Sequence, residues 1–370
     1  MNGFALSVGR PDAPLHLAAH SHHPWPDVSL AAQEQCWRDA ARLLDRKWDH
    51  IFGQVIPVAQ AHIARRLNLP DPATIAFGPN THGLVMRLLS CFDKPVRILT
   101  TGSEFLSFAR QIARLEEDGL VQVTRIATEP FETFETRFAK AAAKGGHDLV
   151  FFSQVFFDSG FRAGDLARIV RAVPDPSTFV VIDGYHGFMA VPTDLRAIAD
   201  RAFYLAGGYK YAMSGEGVCF LHCPPGYGPR PRDTGWYAGF SALEGGGNGV
   251  PYAMDGSRFL GATFDATALY RFNAVQDWLA DRSVTAMLGE VRALERTFLA
   301  RCRLAPLIAD EAARGRFLGF RTPGAGAIVS KLAERAIIAD HRGALLRIGL
   351  GIYHDDASVD RAARALAELV

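Results

Sequence analysis

The chain has 370 residues, 49% of them hydrophobic and 21% charged, enough apolar side chain for two domains or for one large domain carrying a smaller one. A formal net charge of +1 removes the electrostatic case for nucleic acid or an anionic membrane surface and leaves a small molecule as the expected partner. Five scattered cysteines describe no disulfide framework, the N-terminal residues lack the apolar core of a signal peptide, and no run approaches a membrane span, so a cytosolic protein is expected.

In chain order, "HLAAHSHHPWP" comes first and sets His16, His20, His22 and His23 close together. No carboxylate or cysteine accompanies them, so a substrate-facing loop or a polar turn before Pro24 is expected rather than a metal site. From Val28 to about Leu67 the spacing is helical, with Trp37, Leu44, Trp48, Ile51 and Phe52 recurring every three or four residues. Residues 74–240 then alternate short apolar runs with amphipathic stretches, and runs such as "LVFFS" and "FVVID" are apolar on both faces. That pattern predicts an α/β domain with a mostly parallel sheet covered by helices, whose ligands sit at the carboxyl ends of the strands.

The segment "GVCFLHCPP" alternates as a strand, which sends Cys219 and His222 to opposite faces and argues against a metal pair with Cys223. A Gly-rich connection, "LEGGGNGVPYAMDG", precedes a long helical stretch from about Asp265 to Ala300, and the remainder reads as a small C-terminal α/β unit. The expected division is an N-terminal arm and helix over 1–50, a large domain over 51–255, and an interdomain helix with a small domain over 256–370.

Lysine is scarce in this chain, and Lys210 in "FYLAGGYKYAMSGEG" stands apart from the others, directly after an apolar run and two glycines. One reading is a lysine snorkelling from a strand end. The other is a buried amine, which loses proton affinity and becomes a Schiff-base former or general base. The strand "TFVVIDGYHG" ends in Asp183 and His186, so a carboxylate and a lysine are expected at neighbouring strand ends. These are two polar requirements of a pyridoxal phosphate site, the lysine for covalent attachment and the carboxylate to keep the pyridine nitrogen protonated. Asn80 and Thr81 in "FGPNTHGLVMRLL" open a helix whose amides and dipole suit a phosphate.

"DGYHG", "GYKY", "TGWY", "SRFLGATFD" and "IIADHRGALLRIGLGIY" together resemble, in order, motifs of the fold type I pyridoxal-phosphate enzymes of aminotransferase class V, and among them the kynureninases. The resemblance runs over most of the chain. It implies that Lys210 holds the cofactor, Asp183 pairs with the pyridine nitrogen, His186 lies near the phenolic oxygen and Phe105 stacks on the ring. It also implies phosphate contacts from Tyr209, Asn80 and Thr81, and from Trp236 and Thr263 toward the site of a second subunit, hence a homodimer. Arg347 corresponds to the arginine for the substrate carboxylate, and His20 and Ser21 stand in the N-terminal substrate loop where kynureninases carry Asn-Ser. Phe156 and Phe157 stand where they carry Asn-Tyr. The implied activity is hydrolysis of the Cβ–Cγ bond of kynurenine or a related amino acid, giving alanine and an aromatic acid. The alternatives are a class V aminotransferase, a related lyase, or a non-catalytic binder of the cofactor. Cysteine desulfurase is disfavoured, because no cysteine occurs from Leu304 onward.

Overall fold

Seven strands form one sheet in a computed structural model that describes residues 3–225, 230–242 and 249–370. They are β1 (Ile75–Gly78), β2 (Val96–Thr101), β3 (Val121–Ile126), β4 (Leu149–Ser153), β5 (Phe179–Asp183), β6 (Ala202–Gly207) and β7 (Cys219–His222). Their order across the sheet is β1-β7-β6-β5-β4-β2-β3. The five strands from β3 to β6 run parallel, and β7 is antiparallel to both β6 and β1. This is the mostly parallel sheet expected from the doubly apolar runs. β4 and β6 are buried along their whole length, and β5 is buried up to Asp183 at its end. Each fully buried aliphatic or aromatic side chain here contributes about 1.5–3 kcal/mol relative to exposure.

The helical stretch of the N-terminal region is not one continuous stripe. α1 (Val28–Leu43) stops where Leu44 adopts a positive φ of 51°, and a wide turn over Ile51–Val55 precedes α2 (Ile56–Leu67). Trp37 and Leu44 are 74% and 70% exposed, whereas Ile51 is buried, so the apolar spacing marks two different faces. The long helical stretch after residue 265 likewise divides, into α7 (Thr267–Trp278) and α8 (Val284–Leu299), with α1 lying along α7. Before them come α3 (Thr81–Leu89), α4 (Leu106–Glu117), α5 (Phe134–Ala142) and α6 (Leu166–Ala172) in the crossovers of the sheet. The Gly-rich run at 243–248 lies outside the described residues.

A second, three-stranded antiparallel sheet follows, with β9 (Asp340–Arg342) and β8 (Leu318–Arg321) flanking β10 (Leu345–Ile348). It packs with α8, α9 (Ala325–Ala333) and α10 (Asp356–Ala367) around a core of its own, which also takes in Leu15 and Leu17 from the N-terminal segment. Leu15–His16 pairs in parallel with Ile337–Ile338, so the N-terminal arm is fastened to the C-terminal unit before it turns toward the large sheet. That path delivers residues 20–23 to the carboxyl edge of the sheet, where His23 N donates to the carbonyl of Tyr209.

Candidate active site

Strand register brings the polar residues together. Ser153 is aligned with Asp183 and Asp183 with Leu205, so β4 and β5 end at the same level, β6 runs on to Gly207, and the chain beyond it reaches Lys210 on the same edge of the sheet. Gly184 makes the exit from β5 possible, since a Cβ there would overlap the Tyr204 ring. Together these elements enclose a cavity of about 270 Å³. Asn80, Thr81, Phe105, Asp183, His186, Tyr209 and Lys210, singled out in the sequence from separate motifs, all line it.

Lys210 is buried, and its Nζ donates to the carbonyls of His20 at 3.2 Å and Ser21 at 3.3 Å. Its ammonium also sits over the rings of Tyr209 (4.8 Å) and Tyr185 (5.6 Å). Burial, reinforced by the Arg347 guanidinium, pulls the Lys210 pKa down to about 7, with Asp183 opposing. Burial pushes Asp183 the other way, up to about 6, against a hydrogen bond from the Tyr185 amide (2.9 Å to Oδ1) and the Lys210 charge. His186 is held well below the usual imidazole range by burial and by Lys210 and Arg347, so it is neutral, and its Nδ1 has no partner among the described residues. A depressed lysine and an elevated carboxylate give one cavity two groups that titrate close to neutrality.

A helix start and several aromatic rings line the cavity. Asn80 caps α3, its side-chain oxygen accepting from Gly83 N at 2.8 Å, which leaves the other first-turn amides and the helix dipole at the cavity wall. Phe105 begins α4 and meets Phe157 edge to face at 5.5 Å. Tyr209 stacks on His22 and leans on Tyr185.

Other residues named from sequence lie elsewhere. Trp236 and Thr263 are outside the cavity, and Trp236 is 46% exposed against Tyr237 and Phe240. Arg347 is buried and does not line the cavity. Its Nε and Nη2 take both oxygens of Asp340, and its Nη1 donates to the carbonyl of Phe157, whose ring does line the cavity. The four N-terminal histidines diverge: His16 meets Tyr353, His20 meets Asp340, His22 stacks on Tyr209, and His23 meets the carbonyl of Pro24. Among the described residues no group of three or more potential ligands is placed to hold a metal. His222 is spent within the core, between Thr74 Oγ1 and the Ala199 carbonyl.

Three groups escaped the sequence reading. Glu104 is fully buried behind the cavity, takes hydrogen bonds from Thr101 (2.7 Å) and Ser153 (2.6 Å), and is pushed up to about 8 by burial. Asp340 is the partner of Arg347 and His20. Tyr185 reaches across to the Cys219 thiol at 3.4 Å. Glu104 immediately precedes Phe105 in the turn just past the end of β2, which was the available signal.

No family model matches the chain. Isopenicillin N epimerase from Streptomyces clavuligerus is 28% identical over 337 residues, covering 81% of each chain. Among solved structures, a cysteine desulfurase from Thermococcus onnurineus superposes with a TM-score of 0.83 at 15% identity, covering 100% of this chain and 98% of that one. A mutant of the cystine C–S lyase C-DES, with glycine covalently linked to its PLP cofactor, gives 0.82 at 17% identity over 98% and 99%. The cysteine desulfurase CsdA of Escherichia coli gives 0.79 at 18% identity over 99% and 98%. The fold is type I. Within it the sheet edge, the lysine and the acidic strand end of this chain occupy one cavity, and no described helix is long and apolar enough to cross a membrane.

Proposed function

We propose that the chain is a pyridoxal 5'-phosphate enzyme of the aminotransferase class V group that labilises the Cα proton of an α-amino acid. The observation that carries this reading is Lys210, buried at the carboxyl edge of the sheet with its amine near neutrality, in the same cavity as Asp183. The residues fit the cofactor: a lysine for the covalent link, a carboxylate for the ring nitrogen, Phe105 for the ring face, and Asn80, Thr81 and Tyr209 for the phosphate. Bound there, the cofactor would serve as the electron sink for a carbanion. Lys210 would then move the proton at Cα, and neutral His186 would donate or accept at the cofactor's oxygen edge. Arg347, held behind Phe157 of the cavity wall, would receive the α-carboxylate, and His20 and Ser21, whose carbonyls accept from Lys210 Nζ, would border the substrate. A protein working in the cytoplasm suits this chemistry.

The finer reading is a kynureninase-like hydrolase, supported by the Asp-x-x-His and Tyr-Lys-Tyr motifs and by the aromatic wall of Phe105 and Phe157. The comparison proteins named above are an epimerase, a lyase and desulfurases, so hydrolysis rests on the motifs. Likeness to isopenicillin N epimerase favours a second reading, reprotonation at Cα with no further bond cleaved. A desulfurase route is not favoured, since the cavity cysteine, Cys219, is pushed up to about 12 by burial. Incubating holoprotein in deuterated water with an amino-acid panel that includes kynurenine, 3-hydroxykynurenine and cystine tests the proposal. Exchange at Cα is expected for at least one of them. Alanine plus an aromatic acid marks the hydrolase, and inversion alone marks the epimerase. No exchange with any amino acid would count against the whole reading.

We also propose a homodimer in which Trp236 and Thr263 complete the phosphate site of the other subunit, in keeping with their exposure outside their own cavity. Lys210→Ala and Trp236→Ala subunits, each inactive alone, should regain partial activity on mixing, because one site of the mixed dimer is intact. A monomer by light scattering would remove the basis for this.

A further inference from the structure

Arg347 carries five N–H hydrogens. Its Nε donates to Asp340 Oδ1 at 2.8 Å, its Nη2 to Asp340 Oδ2, and its Nη1 to the Phe157 carbonyl. Three hydrogens are therefore spent, and one remains on each Nη nitrogen. Asp340 stands directly opposite Arg347 in the β9–β10 ladder, so the side-on pairing is built into strand register. Asp340 Oδ1 also meets His20 Nε2 at 2.9 Å, and Arg342 comes within 3.8 Å of Oδ2. The ring of Phe317 supports both partners, stacking on His20 at 4.7 Å and lying 5.8 Å beneath the guanidinium. The His20 carbonyl is in turn an acceptor for Lys210 Nζ.

We infer that Asp340 is a positioning residue: it pins Arg347 side-on, so that a substrate α-carboxylate meets the Nη edge rather than competing for the Nε side. This rests on the reading above, in which Arg347 receives that carboxylate. Asp340 offsets part of the guanidinium charge at rest, so directed hydrogen bonds contribute to discrimination alongside net charge. The His20 contact extends the same control to the loop that touches the lysine. A neutral amide at position 340 would set an N–H against one of the Arg347 donors or against the His20 N–H, and the guanidinium would turn off its present axis.

The test uses holoprotein titrated with L-phenylalanine and with 2-phenylethylamine, its decarboxylated counterpart, reading dissociation constants from the shift in cofactor absorbance. Wild type should prefer the acid by roughly thirtyfold, the size of a desolvated charge-assisted contact. Asp340→Asn should lose most of that preference while its cofactor absorbance before titration is unchanged. Asp340→Glu keeps the charge but displaces it by one methylene, and should lose at least a threefold part of the preference, which guards against a failure of the Asn variant to fold. If wild type prefers the acid and both variants keep or exceed that preference, Asp340 does not position Arg347 and this inference alone is overturned. If wild type shows no preference, the assignment of Arg347 to a carboxylate falls first and takes the inference with it.

Discussion

Replacing Lys210 by alanine should abolish both the covalent link to the cofactor and all turnover. Borohydride reduction of wild-type holoprotein followed by peptide mapping should place the label on Lys210, and a label on any other lysine would end the assignment. The physical reason is that burial near Arg347 holds its amine near a pKa of about 7, whereas a solvated lysine stays protonated until about 10.4. At pH 7.5 the buried amine is mostly neutral, roughly a thousandfold more so than a solvated one. The rate of cofactor attachment should therefore rise with a midpoint near pH 7 and then level off.

The same depression has a stability consequence for cofactor-free protein. Between pH 7 and the ordinary lysine range, the unfolded chain holds the proton that the native chain has released, so stability gains with pH across that window. The gain from this one group is at most about 1.4 kcal/mol per pH unit. Denaturant melts of apoprotein should show that slope falling in Lys210→Met. An identical slope would mean that Lys210 titrates as a surface lysine does.

Much of this site was legible because the information is local. A doubly apolar strand ending in Asp183, and a lysine after an apolar run and two glycines, each need only a few neighbouring residues to be recognised, and parallel topology then brings the strand ends together. Residues whose meaning depends on pairing were not legible. Arg347 interrupts an apolar strand and resemblance assigns it the substrate carboxylate, but which residue pairs with it depends on the register of the β9–β10 hairpin, which sets Asp340 opposite it. The periodicity of Trp37 and Leu44 was real, yet helical spacing does not say whether a stripe faces the core, and Leu44 ends the helix with both side chains in solvent. Glu104 was passed over because its hydroxyl partners, Thr101 and Ser153, sit at the ends of two different strands. The N-terminal histidines stay near one another but take different partners, His16 and His23 meeting the Tyr353 ring while His20 meets Asp340 and His22 stacks on Tyr209, a division set by residues far away in the sequence.

Asp183→Asn should bind cofactor yet lose turnover severely. The carboxyl group sits at the end of β5, tethered through one oxygen by the Tyr185 amide, and burial raises its pKa to about 6. In the cofactor-free protein this group therefore takes up a proton at only mildly acidic pH. A cationic partner in the cavity would draw it back to the ionised form, since a buried carboxylate gains most from an opposite charge at close range. An amide supplies neither the charge nor the means to hold a proton on a ring nitrogen. Breaking a buried pair costs about 3–5 kcal/mol, and a loss of that size in the transition state lowers turnover on the order of 10²–10⁴-fold. A binding measurement separates this role from a merely structural one. Wild-type apoprotein should prefer pyridoxal phosphate over its 1-deaza analogue, which has no ring nitrogen to protonate, and Asp183→Asn should bind the two alike. Should the variant keep the wild-type preference and near wild-type turnover, Asp183 only anchors the Tyr185 turn, and the acidic partner of the ring must be sought in Glu104, the other buried carboxyl group behind the cavity.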